Sequence, residues 1–143
     1  MKSNQIDIKA ICVILRDNKE VLVGMGYDEI KKEHFGRMIG GGMNFGETGE
    51  DAVRREIKEE LNSELENLKF IKVLENIFIY NGNHGQQIVF LFKGDLKDKS
   101  LYKKEKIPVI DTKPFDAVWL PLQDVIDGKV KLYPEFDLSL LLD

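Results

Sequence analysis

Cysteine is nearly absent. Cys12 stands alone in 143 residues, so no internal disulfide can staple the fold, and its place inside an apolar run makes it a small buried hydrophobe. Histidine is as scarce: His34 and His84 sit in polar stretches without metal-ligand spacing, and both read as surface residues. No apolar run approaches membrane-spanning length, and the opening MKSNQIDIKA has no apolar signal core, so we expect no membrane partner and a cytoplasmic location. Nor is positive charge massed anywhere. Lysines are scattered through a chain of net charge -4 and pI near 5.3, which argues against a nucleic-acid partner. A small anionic ligand would then need a metal or local basic help. Internal repeats and low-complexity tracts are also missing. What is present, 43% hydrophobic residues in a chain of this length, suits a single domain over residues 1–143 with a core of its own.

Ile6, Ile8 and Ala10 alternate and then merge into the continuous AICVIL, the pattern of a central strand over 6–15. After a polar turn, EVLVGM at 20–25 predicts the second arm of a hairpin with it. Residues 27–34 are charged and unpatterned, and read as a loop before a short strand at 35–39. LKFIKVLENIFIY (68–80) and IVFLF (88–92) predict a long antiparallel hairpin with its tip at 81–85. Residues 95–106 are the most polar stretch and read as a surface loop. Pro108, Pro114 and Pro121 then punctuate a strand at 115–120 and a helix start at 121–126. A last amphipathic helix is predicted over 135–142.

The chain is organised around residues 40–63, GGGMNFGETGEDAVRREIKEELNS. Thr48 and Asp51 have the spacing of a capping box, so a helix should begin near Gly49. On its wheel Val53, Ile57 and Leu61 form a buried stripe, while Glu56, Glu59 and Glu60 share an adjacent arc with Glu60 at the edge of that stripe. Most acidic helix faces are simply solvated. Here Glu56 and Glu60 repel at i,i+4, Lys58 projects away, and Arg55 cannot neutralise all three acids. A hard divalent cation would turn that repulsion into attraction. Gly40, Gly41 and Gly42 would let backbone approach a ligand closely, although a glycine cluster alone equally suits a tight turn.

Gly41, five residues, Glu47, seven residues, Arg55-Glu56, Ile57, Lys58, Glu59-Glu60 closely resembles the signature of the Nudix hydrolase superfamily (MutT-like). From this composition the match would arise by chance on the order of 10⁻⁵ times per sequence. The family continues with one residue, a glycine and an aliphatic. This chain has Leu61, then Asn62, which tolerates the same left-handed conformation as glycine, and Ser63, a plainer departure. The resemblance implies an α/β fold, the Nudix α/β/α sandwich with a mixed β-sheet, in which DAVWLPL at 116–122 matches a late strand and helix. Trp119 is then core packing.

The same resemblance implies Mg²⁺- or Mn²⁺-dependent hydrolysis of a nucleoside diphosphate linked to another moiety, by water attack on phosphorus. Gly40 (through its carbonyl), Glu56, Glu59 and Glu60 would hold metal. Arg55 would orient Glu56, and Glu47 would brace Arg55 or reach a metal-bound water. An extra acid often comes from a loop outside the signature, and Glu105 is a candidate, with a solvated surface role the more frequent one for such a residue. Subfamily marks are thin. The proline of ADP-ribose hydrolases is missing from the region of Phe78, Ile79 and Tyr80, and the runs typical of NADH and coenzyme A hydrolases are absent. Tyr80 matches a tyrosine of diadenosine-polyphosphate members, and Tyr27, Phe35, Phe45 or Tyr80 could stack on a base. A catalytically inactive Nudix-fold module that binds a nucleotide for regulation is the alternative, disfavoured by the intact acidic pairs. The acidic pI speaks against an RNA-decapping relative, and the lone buried cysteine against an isoprenoid diphosphate isomerase. Many members are dimers, so a homodimer is a further expectation.

Overall fold

The structure, a computed structural model that describes residues 5–141, is built on one mixed sheet. Apolar sequence explains its centre. β1 (Ile6–Val13) is exposed or half-buried over its first four residues and fully buried over its last four, as its shift from alternation to a continuous apolar run requires. A strand buried on both faces needs neighbours on both edges. β1 finds them in β4 (Glu33–Gly42), antiparallel with Ile11 opposite Gly40, and in β6 (Asn83–Leu96), parallel with Ile8 opposite Ile88. Consequently the expected hairpin between the first two runs shrinks to the tiny β2 (Leu15–Arg16) against β3 (Glu20–Asp28), turned by left-handed Asp17 and Asn18. β3 itself pairs with β4 and with β8 (Phe115–Pro121).

β5 (Leu65–Tyr80) and β6 form the long hairpin expected of them, with two register shifts near Glu66 and Phe70. Adding β7 (Lys106–Val109) beside β8 gives the order β5-β6-β1-β4-β3-β8-β7, with β9 (Lys131–Tyr133) parallel to β4. One core lies between this sheet and α1 (Gly49–Leu61), and includes Ala10, Cys12, Ile57 and Trp119. A second core lies on other faces of the sheet, around Val23, Val89 and Leu91, with Leu122 and Val125 of the short α2 (Leu122–Ile126) and Leu138 packed against it. This is the α/β sandwich with a mixed sheet that the signature implied. No helix among the described residues is long and apolar enough to cross a membrane.

Three further expectations need correction. The 27–34 loop is mostly strand: β3 runs to Asp28, β4 starts at Glu33, and Tyr27 faces His34 with rings 4.6 Å apart. This ladder projects its side chains largely into solvent and so leaves no apolar pattern. The polar 95–106 segment contains a 3-10 turn (Lys99–Lys103) that buries Leu101, and the Tyr102 hydroxyl accepts a hydrogen bond from the Leu96 amide at 2.7 Å. In place of a C-terminal helix there is β9 and a single 3-10 turn (Leu138–Leu141). There Asp137 captures the Ser139 amide, so a local side-chain bond competes with helix; residue 142 lies outside the described residues.

Trp119 is buried as expected. Its indole N–H donates to the Lys104 carbonyl at 2.9 Å, Tyr102 stacks on it at 5.6 Å and Arg16 lies 4.9 Å from its ring centroid.

Candidate active site

Local chemistry fixes both ends of α1. The Thr48 hydroxyl accepts from the Asp51 amide at 3.1 Å while the Asp51 carboxylate accepts from the Thr48 amide at 3.4 Å, a complete capping box. Asn62 closes the other end in the left-handed conformation, φ 53°, donating its N–H to the Lys58 carbonyl. Between the caps, Val53, Ile57 and Leu61 are buried against the sheet. This sets the direction in which the acidic arc must point.

The three glycines are strand, not loop: Gly40, Gly41 and Gly42 end β4, opposite Ile11, Ala10 and Lys9. Two of them are needed for close approach. A Cβ on Gly40 would run into the Ala10 carbonyl oxygen, and one on Gly41 would fall on the Glu56 carboxyl group. Strand and helix thus meet across Gly41, with the Glu56 carboxylate in the space a side chain would take.

Arg55 ties this corner together. Its Nε and Nη2 donate to both oxygens of Glu47 at 2.7 and 2.9 Å, a bidentate pair, and Nη2 also reaches the Gly42 carbonyl at 2.9 Å. Nη1 donates to Glu56 at 2.8 Å and Glu59 at 3.3 Å. The Arg55 hydrogen bonds, joined by one from the Asn44 amide, hold Glu47 down at a pKa of about 2. In return the Arg55 guanidinium is held still more firmly protonated by Glu47.

Glu60 has none of this. It is 8% exposed and its Oε1 is buried without a hydrogen-bond partner. Desolvation, followed by the charges of Glu56 and Asp111, pushes its pKa up to about 8; only Arg37 pulls the other way among its main neighbours. Arg55 therefore serves Glu47, Glu56 and Glu59 and leaves Glu60 uncompensated. Among the described residues no three acidic, histidine or cysteine side chains already stand together as a metal cage, since Glu56 and Glu59 are both drawn to the guanidinium.

The NUDIX domain profile matches residues 7–140, nearly the whole chain. The chain belongs to the Nudix family. It is a Nudix hydrolase. Solved structures agree in fold. A NUDIX hydrolase from Nitrosomonas europaea is 15% identical, with 96% of this chain and 86% of that one covered at a TM-score of 0.59. A MutT NUDIX hydrolase from Burkholderia pseudomallei is 25% identical, covering 84% of this chain and 86% of its own at 0.53. An ADP compounds hydrolase is 20% identical, covering 89% of this chain but 62% of its own, at 0.54. No curated protein sequence matches the chain.

Against the Nudix signature, Ser63 now has a structural account. It is buried, donates its hydroxyl to the Glu64 carbonyl at 2.9 Å and accepts the Asp98 amide at 3.2 Å, fastening the end of α1 to the chain after β6. Beside the signature lies a cavity of about 520 Å³, lined by Glu56 and Glu60 and by Gly40, Gly41 and Gly42. Lys9 and Arg37 supply positive charge to it, and Phe35, Phe78, Tyr80 and Tyr133 supply aromatic walls. Phe35 is the junction of that wall, edge-on to Tyr80 at 5.6 Å and to Tyr133 at 5.4 Å.

Of the four aromatics singled out from sequence, Phe35 and Tyr80 line this cavity, while Tyr27 does not and Phe45 is fully exposed on the loop before α1. Glu105 is far more exposed than any signature acid and lies 3.8 Å from Arg16, outside the cavity. Asp111, by contrast, lines the cavity and bears on Glu60. The neighbouring Ile110 amide donates to the Glu60 carbonyl at 3.0 Å, bringing that loop onto α1. Asp111 follows β7, a strand that the sequence did not predict, so nothing in the sequence singled it out. At the other rim Asp28 is buried, accepting amides from Ile30, Lys31 and Asn81, while the Asn81 side chain accepts the Glu29 amide.

Proposed function

We propose that this chain is a divalent-metal-dependent nucleotide pyrophosphatase, cleaving the diphosphate linkage of a nucleoside diphosphate joined to another moiety. The observation that carries the reading is Glu60: a buried carboxylate with an unpartnered oxygen, beside Glu56 on the same cavity wall. A buried acid without a partner is unfavourable unless it serves a ligand. The donors suit a hard cation by chemistry, being carboxylate and carbonyl oxygens. Glu56, Glu59, Glu60 and the Gly40 carbonyl would hold it. Bound there, Mg²⁺ or Mn²⁺ neutralises charge on the diphosphate and lowers the pKa of water.

The chain's own residues supply the rest. Arg55 fixes Glu56 through one carboxylate oxygen, leaving the other free for the ligand, and a carboxylate of the site accepts the proton of the attacking water. Glu47 fixes Arg55 from the opposite side. Lys9 and Arg37 attract the anionic substrate, and the Phe35–Tyr80–Tyr133 wall suits a planar base. Such a substrate is a small molecule, and the net charge of -4 speaks against a nucleic-acid one. The test is a panel of nucleotide sugars, dinucleoside polyphosphates, ADP-ribose and oxidised deoxynucleoside triphosphates at saturating Mg²⁺, read by phosphorus NMR. Cleavage of at least one is expected. Nucleotide binding without any cleavage would favour a regulatory module.

A further inference from the structure

Two amides stand on the floor of the cavity. Asn76 on β5 faces Gln87 on β6 across one rung of the sheet; both are half-buried and both line the cavity. Asn76 Nδ2 donates to Gln87 Oε1 at 3.3 Å. That bond leaves Asn76 Oδ1 as an acceptor and Gln87 Nε2 as a donor, neither with another partner among the described residues. Turned over together, the two amides present the same functions in the opposite order. Other polar groups at this end are spent: Asp28 on the turn amides, and the Lys31 ammonium on the Ile79 carbonyl at 2.9 Å. Beside the pair, on the same faces of the same strands, Phe78 lies over Gly85, where a Cβ would fall on its ring. The ring is therefore laid along the sheet with its outer face toward the cavity it lines.

We propose that Asn76 and Gln87 read the edge of the substrate's base and that this base is adenine, an inference that rests on the proposed nucleotide substrate. A planar base lying on Phe78 turns its edge to the side chains that rise from the sheet beside the ring. The pair offers one donor and one acceptor. Adenine is the nucleobase whose edges ask for no more: its 6-amino group stands beside N1, followed by a C–H, on one edge and beside N7 on the other. Guanine, cytosine and uracil each show three polar groups on their pairing edge, and a third left unmet in the cavity costs binding. The reach also fits. Asn76 lies three strands from Gly42, about 14 Å at ordinary strand spacing, a distance that an adenosine diphosphate bridges with its phosphates at the glycine end. Lys9, opposite Gly42 and on the same sheet face as Gln87, is placed between them to meet those phosphates.

The test is titration calorimetry on the full chain in Mg²⁺ with the α,β-methylene diphosphates of adenosine, guanosine, cytidine and uridine, whose bridge cannot be hydrolysed. The adenosine analogue should bind about tenfold more tightly than each of the others. Asn76→Leu and Gln87→Met, which keep side-chain size, should each remove most of that preference by weakening the adenosine analogue alone. Equal binding of the four, or binding of none, overturns the proposal. So does a preference for another base, or a variant that weakens all four alike, which would mark the pair as structural. No bond is broken in this measurement, so it stands apart from turnover. Adenine preference in a chain that cleaves no nucleotide would retire the pyrophosphatase reading and keep the subsite, whereas cleavage indifferent to the base would do the reverse.

Discussion

Two carboxylates that line up with the same helix face opposite fates. Glu47 enters a corner where Arg55 and the Asn44 amide meet both of its oxygens, and its proton leaves at about pH 2. Glu60 enters a corner with no donor for Oε1 and acidic neighbours, and its proton stays to about pH 8. The first is complete without a ligand and holds the geometry of the loop. The second is incomplete, and the molecule gives up stability to keep it so. The two differ in whether their hydrogen bonds close within the protein, and it is the open one, Glu60, on which the proposed ligand site rests.

That contrast can be broken in order of effect. Glu60→Gln should lower hydrolysis at least tenfold while leaving the fold intact, measured on whichever nucleotide the panel identifies; full activity would show that the orphan acid is not part of the machinery. Arg55→Lys loses the bidentate grip on Glu47 and cannot reach Glu56, Glu59 and Gly42 together. It should cost about tenfold in rate and roughly 1–2 kcal/mol in denaturant unfolding.

The pH dependence of the metal-free protein should isolate Glu60. Its folded pKa of about 8 lies above the 4.5 of the free group, so the native state binds more protons than the unfolded chain between those values. Stability contributed by the protonated carboxyl is complete below about pH 4.5 and is lost as pH rises through about 8. The melting temperature should therefore fall from pH 5.5 to 8.5 in the wild type and much less in Glu60→Gln. Added Mg²⁺ should restore it more at pH 8.5 than at 5.5, because the cation requires the ionised form. The smallest expected effect is Ser63→Val, which restores an aliphatic residue at this family position yet removes a buried hydroxyl from Asp98 and Glu64; we expect a loss of about 1 kcal/mol with activity preserved.

Much of this was legible in the sequence where the determinants are local. The Thr48–Asp51 cap, the Val53–Ile57–Leu61 stripe and the left-handed Asn62 each depend on residues within a few positions, and Glu60 at the edge of the stripe followed from helical geometry alone. Pairing partners were less legible. β1 is flanked by β4 and β6 because a doubly buried strand needs two neighbours, and nothing near Ile6 names them. The glycines stand out in the sequence as a place of close approach, but what approaches them, Glu56 packed against Gly41, lies across a strand-to-helix contact. Asp111 escaped for the same reason: it is defined by the Ile110 link to α1 rather than by its own neighbours in the chain.

Asp28 joins two tips that the sequence keeps over fifty positions apart. Its carboxylate captures amides of the β3–β4 turn and of the β5–β6 turn, and Asn81 returns a bond to Glu29. Neither hairpin can swing out alone without stranding a buried carboxylate. The amides of Ile30, Lys31 and Asn81 should therefore exchange with deuterium at a common rate, as one cooperative unit, so that the rim carrying Tyr80 opens as a whole or stays shut.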